Sequence, residues 1–334
     1  MEKYYITTPI YYVNDKPHIG HAYTTILADT ISRFRALIGE KPTFLTGLDE
    51  HGLKVQQAAE KNGKAPQDHC DSMAPAFIHL WKKLNINYSD FIRTTEHRHT
   101  KIVQQILTKV HESGDIYMDE YEGWYSISEE RFITEKELDS GQFGEVKQIK
   151  EKNYFFRMSK YQATLIDKIE KDELLIQPKS RKNEVLGFLK NELSDLCISR
   201  PKSRLEWGIE LPFDDNYVTY VWFDALINYI SAIGAYSNDE HFSSLWPADV
   251  HLIGKDILTT HSVYWPTMLL SLGLPLPQRI FAHGWWLTDD QKMSKSLGNV
   301  VSPLMLIDDF GVDSVRYYLM SEMVLGMDAT FSSE

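Results

Sequence analysis

The first third of this 334-residue chain alternates strand-like with helix-like segments, which limits the folds open to it more than any other feature. Tyr4 to Tyr12 is rich in β-branched and aromatic residues, Lys16-Pro17 breaks that run, and residues 20–37 carry a helical pattern. A second strand is predicted over residues 43–48, followed by helices over 53–61, 68–84 and 96–111, with a short strand at 90–93. Strands separated by helices of this length pair in parallel, because each crossover returns the chain to the same edge of the sheet.

The character changes near Asp115. Residues 116–150 are aromatic, charged and turn-rich, with Gly123, Gly141 and Gly144 as punctuation, a composition suited to short antiparallel strands. Helices are predicted over 159–171 and 182–193, then a hairpin-like return over 205–212. The α/β pattern resumes with strands at 217–221, 250–253 and 280–283, joined by helices reaching Tyr236 and Leu272. The expected fold is therefore α/β: a Rossmann-like parallel sheet in a nucleotide-binding domain, split by an insertion. Its parts are 1–115 and 216–290 as the two halves of the catalytic domain and 116–215 as the connective insertion. Residues 291–334 make a loop and two short helices (303–308 and 312–320), the start of a helical region that ends without capping logic, as if cut.

Bulk properties narrow the class. Met1-Glu2-Lys3-Tyr4-Tyr5-Ile6 resembles no targeting segment, and no apolar run reaches the roughly eighteen residues of a membrane span. Cys70 and Cys197 are the only cysteines, too few for a disulfide framework or a four-cysteine metal site, and fit a reducing cytoplasm. The net charge of −12 argues against non-specific coating of nucleic acid. Lys179, Arg181, Lys182, Lys190, Arg200, Lys202 and Arg204 form a local basic run, readable as a solvated face or as a landing surface for an RNA end.

Two distant words carry the chemistry. His18-Ile19-Gly20-His21 follows Pro17, which suits the first turn of a helix because its missing N–H would be unpaired there anyway. That turn exposes free amides and the positive end of the helix dipole, a phosphate site, with both imidazoles on one face. Gly20 removes a β-carbon where an adenine ring would lie against backbone. A capped helix with incidental histidines is the plainer alternative. Lys292-Met293-Ser294-Lys295-Ser296 places two ammonium groups on a Gly/Asp/Ser-flanked loop, able to follow charge building on a departing pyrophosphate.

Other positions fit around these. Gly254-Lys255-Asp256 follows a strand and opens a helix, where Asp256 accepts from ribose hydroxyls or caps the helix. Trp222, Ala225, Leu226 and Tyr229 share one helical face, as do Ile257, His261 and Trp265. Both stripes read as core or, beginning just after strand ends, as an apolar aromatic box with Ile10 and Tyr12. A thioether is favoured in such a box. Asp49, ending the second strand, can pair with a substrate ammonium. Asp49-Glu50-His51-Gly52 is otherwise a helix cap, with metal ligation by His51 an outside alternative.

The two words in this order are the signature pair of class I aminoacyl-tRNA synthetases, and the chain as a whole resembles the methionyl-tRNA synthetases. The resemblance extends to Pro9-Ile10-Tyr11-Tyr12-Val13-Asn14, Thr46-Gly47-Leu48-Asp49-Glu50-His51-Gly52, Tyr121-Glu122-Gly123-Trp124-Tyr125, Ser180-Arg181-Lys182-Asn183-Glu184 and Val221-Trp222-Phe223-Asp224-Ala225. It implies that Ile10, Tyr12, Asp49, Trp222, Ala225, Leu226, Tyr229, Ile257, His261 and Trp265 surround methionine. It implies that His18, Gly20, His21, Gly254, Asp256 and Lys295 hold ATP, with His18, His21, Lys292 and Lys295 catalytic and Mg²⁺ on the phosphates. The implied activity is that of a methionine–tRNA ligase: methionine and ATP give methionyl-adenylate and pyrophosphate, then the methionyl group passes to the 3′-terminal adenosine of tRNA(Met). Homocysteine is the implied competitor, removed by cyclisation in the active site.

Three departures stand out. Where many members carry a Cys-x-x-Cys knuckle, this chain has Ser126 and Glu129, so the expected knuckle holds no zinc. Leu226 stands where some members have Pro. The family normally continues into a helical anticodon-binding domain, which this chain is expected to lack. The chain is expected to be a cytoplasmic monomer without membrane association. A small-molecule nucleotidyltransferase with no RNA substrate and a non-catalytic RNA-binding relative are the competing readings; the insertion argues against the first, the intact His18, His21, Lys292 and Lys295 against the second.

Overall fold

A computed structural model describes residues 2–126, 131–133, 138–139, 145–288, 291–292 and 300–332. Its centre is a six-stranded sheet in the order β3-β2-β1-β12-β13-β7. The strands are β1 (Lys3–Tyr12), β2 (Lys41–Asp49), β3 (Asp90–Arg93), β7 (Leu175–Gln177), β12 (Val250–Gly254) and β13 (Arg279–His283), and every pairing among them is parallel. The chain winds outward from β1 to β2 and β3, then returns on the other side of β1 as β12. The order thus reverses between β1 and β12, which leaves a crevice at their C-terminal ends.

Successive strand residues point to opposite faces, so two cores form. Ile6, Phe44 and Leu252 pack with α1 (Ile19–Leu37) and α3 (Pro66–Lys83), while Tyr5, Leu45 and Ile253 pack with α4 (His97–Glu112). The helices follow their apolar spacing: Ile19, Ala22, Tyr23, Ile26 and Leu27 are buried on one stripe of α1, and Ile102, Val103, Ile106 and Val110 on one stripe of α4. Each such aliphatic side chain contributes about 1.5–3 kcal/mol by burial.

The segment after Asp115 builds a separate antiparallel sheet in the order β5 (Arg131–Ile133), β4 (Ile116–Ser126), β6 (Val146–Phe156), β8 (Leu196–Cys197), dominated by the long pairing of β4 with β6. Asp115 ties it to the main domain, accepting from Lys160 at 2.6 Å and from Ser271 at 2.8 Å.

Two strands fall differently from the sequence reading. β7, within the stretch read as insertion, is an edge strand of the main sheet beside β13. Three residues are too few to show a periodic pattern, and only the burial of Ile176 against the core reveals them. Conversely β11 (Asp214–Thr219), read as the resumption of the parallel sheet, pairs antiparallel with β9 (Ser199–Pro201) and β10 (Glu210–Leu211) in a small sheet of its own. The helix expected to run on to Tyr236 is also broken, into α7 (Trp222–Ala225) and α8 (Asn228–Ser231).

Near the end, α11 (Pro303–Phe310) and α12 (Val312–Ser321) lie against the α1 side, where Arg316 pairs with buried Asp29 at 2.6 Å. The chain then crosses the ligand side of the sheet as β16 (Ala329–Phe331), parallel to β14 (Trp286–Thr288). Among the described residues no helix is long and apolar enough to cross a membrane.

Candidate functional site

A cavity of about 420 Å³ opens at the crevice between β1 and β12. This is the size range of small-molecule sites. Its lining divides into a polar end and an aromatic end.

At the polar end, His18 is the N-cap of α1: its Nδ1 accepts from the Gly20 amide at 3.1 Å, while the His18 amide donates to His21 Nδ1 at 3.2 Å. The capping alternative is therefore real, and it serves the site as well. With Nδ1 of each ring accepting from backbone, the ring proton lies on Nε2, an N–H suited to a phosphate oxygen. The rings stack at 3.8 Å between centroids. A β-carbon at Gly20 would approach His18 Cε1 to 2.9 Å, so the glycine makes room for the cap.

Gly254 ends β12, and a β-carbon there would lie 2.5 Å from Asp256 Oδ1. Glycine lets the Asp256 carboxylate fold back toward the strand end, where Oδ1 accepts from Trp285 Nε1 at 3.1 Å. Asp256 does not cap the short turn that follows. Trp285 is held in turn by Lys255, whose ammonium lies 4.1 Å from the ring centroid and pairs with Asp328 at 2.6 Å. His283, at the end of β13, contacts Thr24 of α1 at 2.8 Å and donates from Nδ1 to the Gly284 carbonyl at 2.7 Å. Burial lowers its pKa, against the opposing hydrogen bond to Gly284 and the charge of Asp256.

The aromatic end begins at an irregularity in β1. Its register against β2 shifts between Thr7 and Ile10, around Pro9, which has no N–H for the ladder. Past the shift, Ile10 and Tyr12 line the cavity, and Tyr12 lies opposite Asp49 at the end of β2. Gly52, at φ 108°, takes a conformation that L side chains rarely adopt, and a β-carbon there would collide with the Tyr12 hydroxyl. Trp222, Ala225, Leu226 and Tyr229 form one wall, Ile257 and His261 another.

His261 Nδ1 lies 2.9 Å from the Ile257 carbonyl, which can only accept, so Nδ1 carries the proton. Nε2 then accepts from the Tyr229 hydroxyl at 2.7 Å. Burial lowers the His261 pKa to about 4, despite the Ile257 carbonyl and the charge of Asp256, and raises the Tyr229 phenol above its ordinary range. Both groups are uncharged at neutral pH. The aromatic end is a neutral, hydrogen-bonded box beside one carboxylate, Asp49.

Trp265 is not among the residues lining the cavity; it is fully buried, packs against Tyr229 with ring centroids 5.9 Å apart, and donates from Nε1 to His251 at 3.1 Å. The stripe Ile257, His261, Trp265 presumes an even helix, but residues 260–264 form a π turn, whose wider winding rotates Trp265 away from the face of His261. His51 is neither a cap, since Gly52 begins α2 (Leu53–Lys61) without a side-chain cap, nor part of any metal cluster among the described residues. It donates instead to Asp224.

Lys292 closes the two-residue strand Gln291–Lys292 paired to β14. The Lys292 side chain, Lys295 and Glu129 lie outside the described residues, and Ser126 ends β4. Of the seven residues in the basic run, four sit in ion pairs: Arg181 with Glu184, Lys182 with Asp172, Lys202 with Glu210 and Arg204 with Glu151. The sequence reading missed Pro9, Tyr11, Tyr23, Thr24, Asn228, His283, Gly284, Trp285 and Trp286 in the lining. The His283-Gly284-Trp285 stretch had a usable signal, a strand end followed by glycine, as at Gly254.

A family model described as tRNA synthetases class I (M) matches residues 4–142 and 139–334. The chain is 52% identical over 337 residues to a methionine–tRNA ligase of Clostridium tetani, covering 99% of this chain and 52% of that protein. It is 48% identical over 348 residues to the Bacillus subtilis ligase of the same name, again covering 99% of this chain and 52% of the relative. The chain thus spans about half the length of the curated relatives it matches. Among solved structures, Mycobacterium tuberculosis methionyl-tRNA synthetase in complex with methionyl-adenylate aligns at a TM-score of 0.95, with 43% identity over 100% of this chain and 67% of that one. The free form of the same enzyme aligns at 0.81, with 39% identity over 100% and 64%. On these grounds the chain belongs to the class I tRNA synthetases, in their methionine branch.

Proposed function

We propose that this chain activates L-methionine with ATP and, as part of a methionine–tRNA ligase, passes the methionyl group to tRNA(Met). The observation that carries the reading is one continuous cavity joining the capped histidine pair of α1 to a neutral aromatic box. The similarity to an adenylate-bound synthetase supports it.

In the first step a methionine carboxylate oxygen attacks the α-phosphorus of ATP. The bond from that phosphorus to its bridging oxygen breaks, and the electron pair leaves with pyrophosphate. No general base is needed, because the carboxylate is already ionised. Asp49 pairs with the substrate ammonium and aims the carboxylate toward the polar end. The N-terminal amides of α1 and the Nε2–H groups of His18 and His21 donate to phosphate oxygens as charge shifts onto the leaving group. Gly254 and Asp256 receive the ribose. Lys292, which closes the strand paired to β14, and Lys295, three residues further along the chain, add positive charge. Mg²⁺, if bound, would come with the phosphates of ATP and add positive charge there, as suits a metal held mainly through substrate oxygens.

The side chain of methionine lies among Ile10, Tyr12, Trp222, Ala225, Leu226, Tyr229, Ile257 and His261. Trp265 belongs to the same aromatic group, its ring against Tyr229 and its Nε1–H on His251. A missing methyl changes binding by only about 1–3 kcal/mol, so homocysteine is the hardest substrate to refuse. In the second step the terminal adenosine hydroxyl attacks the adenylate carbonyl carbon, the bond from that carbon to the phosphate oxygen breaks, and AMP leaves as the hydroxyl proton is released. We place this activity in the cytoplasm, in a monomer without a bound zinc ion.

Methionine-dependent exchange of pyrophosphate into ATP by the purified chain tests the reading. Exchange with methionine and not with valine or leucine is expected. Exchange dependent on another small acid, with none on methionine, would replace the reading with a nucleotidyltransferase of different specificity.

A further inference from the structure

We propose that Asp224 is a positioning residue for the amino-acid end of the cavity, holding Trp222 and the loop after Asp49 in one arrangement through His51 and His99; this rests on the methionine reading above. Trp222 and Ala225 line the cavity from α7, a helix of a single turn. One turn cannot hold its own shape, because few hydrogen bonds offset the ordering of its backbone. The residue before it adds strain: Val221 is β-branched yet sits at φ 43°, ψ −89°. Such a conformation persists only where surrounding contacts over-determine it.

Asp224 supplies those contacts. It lies on α7, is 2% exposed, and is absent from the cavity lining. Its Oδ2 accepts from His51 Nδ1 at 2.7 Å and its Oδ1 from His99 Nε2 at 2.7 Å. His51 stands two residues beyond Asp49, and its ring leans on Trp207 with centroids 5.3 Å apart. His99, on α4, reaches from Nδ1 to Ser231 at 2.8 Å, on α8, the turn that carries Tyr229. One carboxylate therefore joins the loop bearing the ammonium anchor, the turn bearing Trp222 and, through His99, the turn bearing Tyr229.

Burial opposes the charge of Asp224, but the charge of His51 and the hydrogen bonds from both imidazoles hold its pKa at about 2. It remains an acceptor at both oxygens across the working range. Among the described residues, its side-chain partners lie on the loop before α2 and on α4; the polar end is built on α1, β12 and β13. Disturbing Asp224 should therefore move methionine and leave ATP in place.

Pyrophosphate exchange with methionine and ATP varied independently is the test. Asp224→Asn puts an amide N–H against an imidazole N–H and is expected to raise KM for methionine on the order of tenfold, with KM for ATP within about twofold. His51→Gln, at a partly exposed position, is expected to give a smaller rise with the same split, and to add little when combined with Asp224→Asn. If Asp224→Asn does not fold, His51→Gln and His99→Gln carry the same prediction. Unchanged KM for methionine in these variants, or equal rises for methionine and ATP, would overturn the assignment. A wild-type chain with no methionine-dependent exchange would instead remove the functional reading and this inference together.

Discussion

The aromatic end of the cavity includes Ala225, Leu226, Tyr229 and His261, each at most 4% exposed, beside the half-buried Ile10, Tyr12, Trp222 and Ile257, and its Tyr229–His261 pair is already hydrogen-bonded. At the polar end His18, Gly20 and His21 are half-buried, Asp256 is exposed, and the donors are helix-terminal amides and ring edges. The difference matches two tasks. Recognition of an uncharged side chain depends on a fixed shape and on having no unpaired polar group where that side chain lies. Stabilising charge that moves during reaction depends on donors aimed at the place where charge will appear.

Substitutions at the two ends should therefore fail in different ways. The largest effect is expected at the polar end: His21→Ala should lower the exchange rate by roughly 10²–10³-fold, the scale of losing one charge-stabilising donor, with methionine affinity almost unaltered. A loss that saturating ATP restores would mean that the ring serves ground-state binding instead. Next comes Asp49→Ala at the aromatic end, expected to weaken methionine by about 10–100-fold, as for a hydrogen bond to a charged group, with little effect on ATP. Isothermal titration with methionine alone reads this directly, and a normal affinity would refute the ammonium role.

Gly254→Ala should be milder. Its β-carbon displaces the Asp256 carboxylate, so KM for ATP should rise roughly three- to tenfold while KM for methionine holds. Equal changes in both would blur the division between the ends. The smallest effect concerns pH. His261 has a folded-state pKa of about 4 against its ordinary 6.5, so between these values the unfolded chain binds the proton and the folded one does not. Its contribution to stability is full above pH 6.5 and is lost as pH falls toward 4. Melting temperatures measured across that window should decline, and His261→Asn should flatten part of the decline. An identical slope in the variant would show that His261 is not a titrating group of this kind.

Much of the architecture was legible in local pattern. Long segments such as β1, α1 and α4 show their period directly, because one face of each packs on a core and the other meets solvent. The helix start beside the histidine pair was legible for a similar reason, since capping is local, although Pro17 stands before the cap residue His18 and not in the first turn as expected. β7 was not, because three residues carry no period, and β11 was misassigned because its apolar end is shared by parallel and antiparallel strands. The π turn at residues 260–264 interrupts the stripe Ile257, His261, Trp265, and nothing in the spacing of residues 257–265 announces one. His51 and Asp224 lie 173 residues apart, so neither could be read as the other's partner before the fold joined them.

The order of residues along the chain determined the α/β alternation, a helix start close after Pro17 and the chemical kinds of group available, because these depend on neighbours within a turn or two. Only the tertiary structure decided which ring nitrogens carry protons, which aromatics face the cavity and which carboxylate braces it. Each of those depends on a partner brought close by packing between distant segments, and on burial that no single segment can provide for itself.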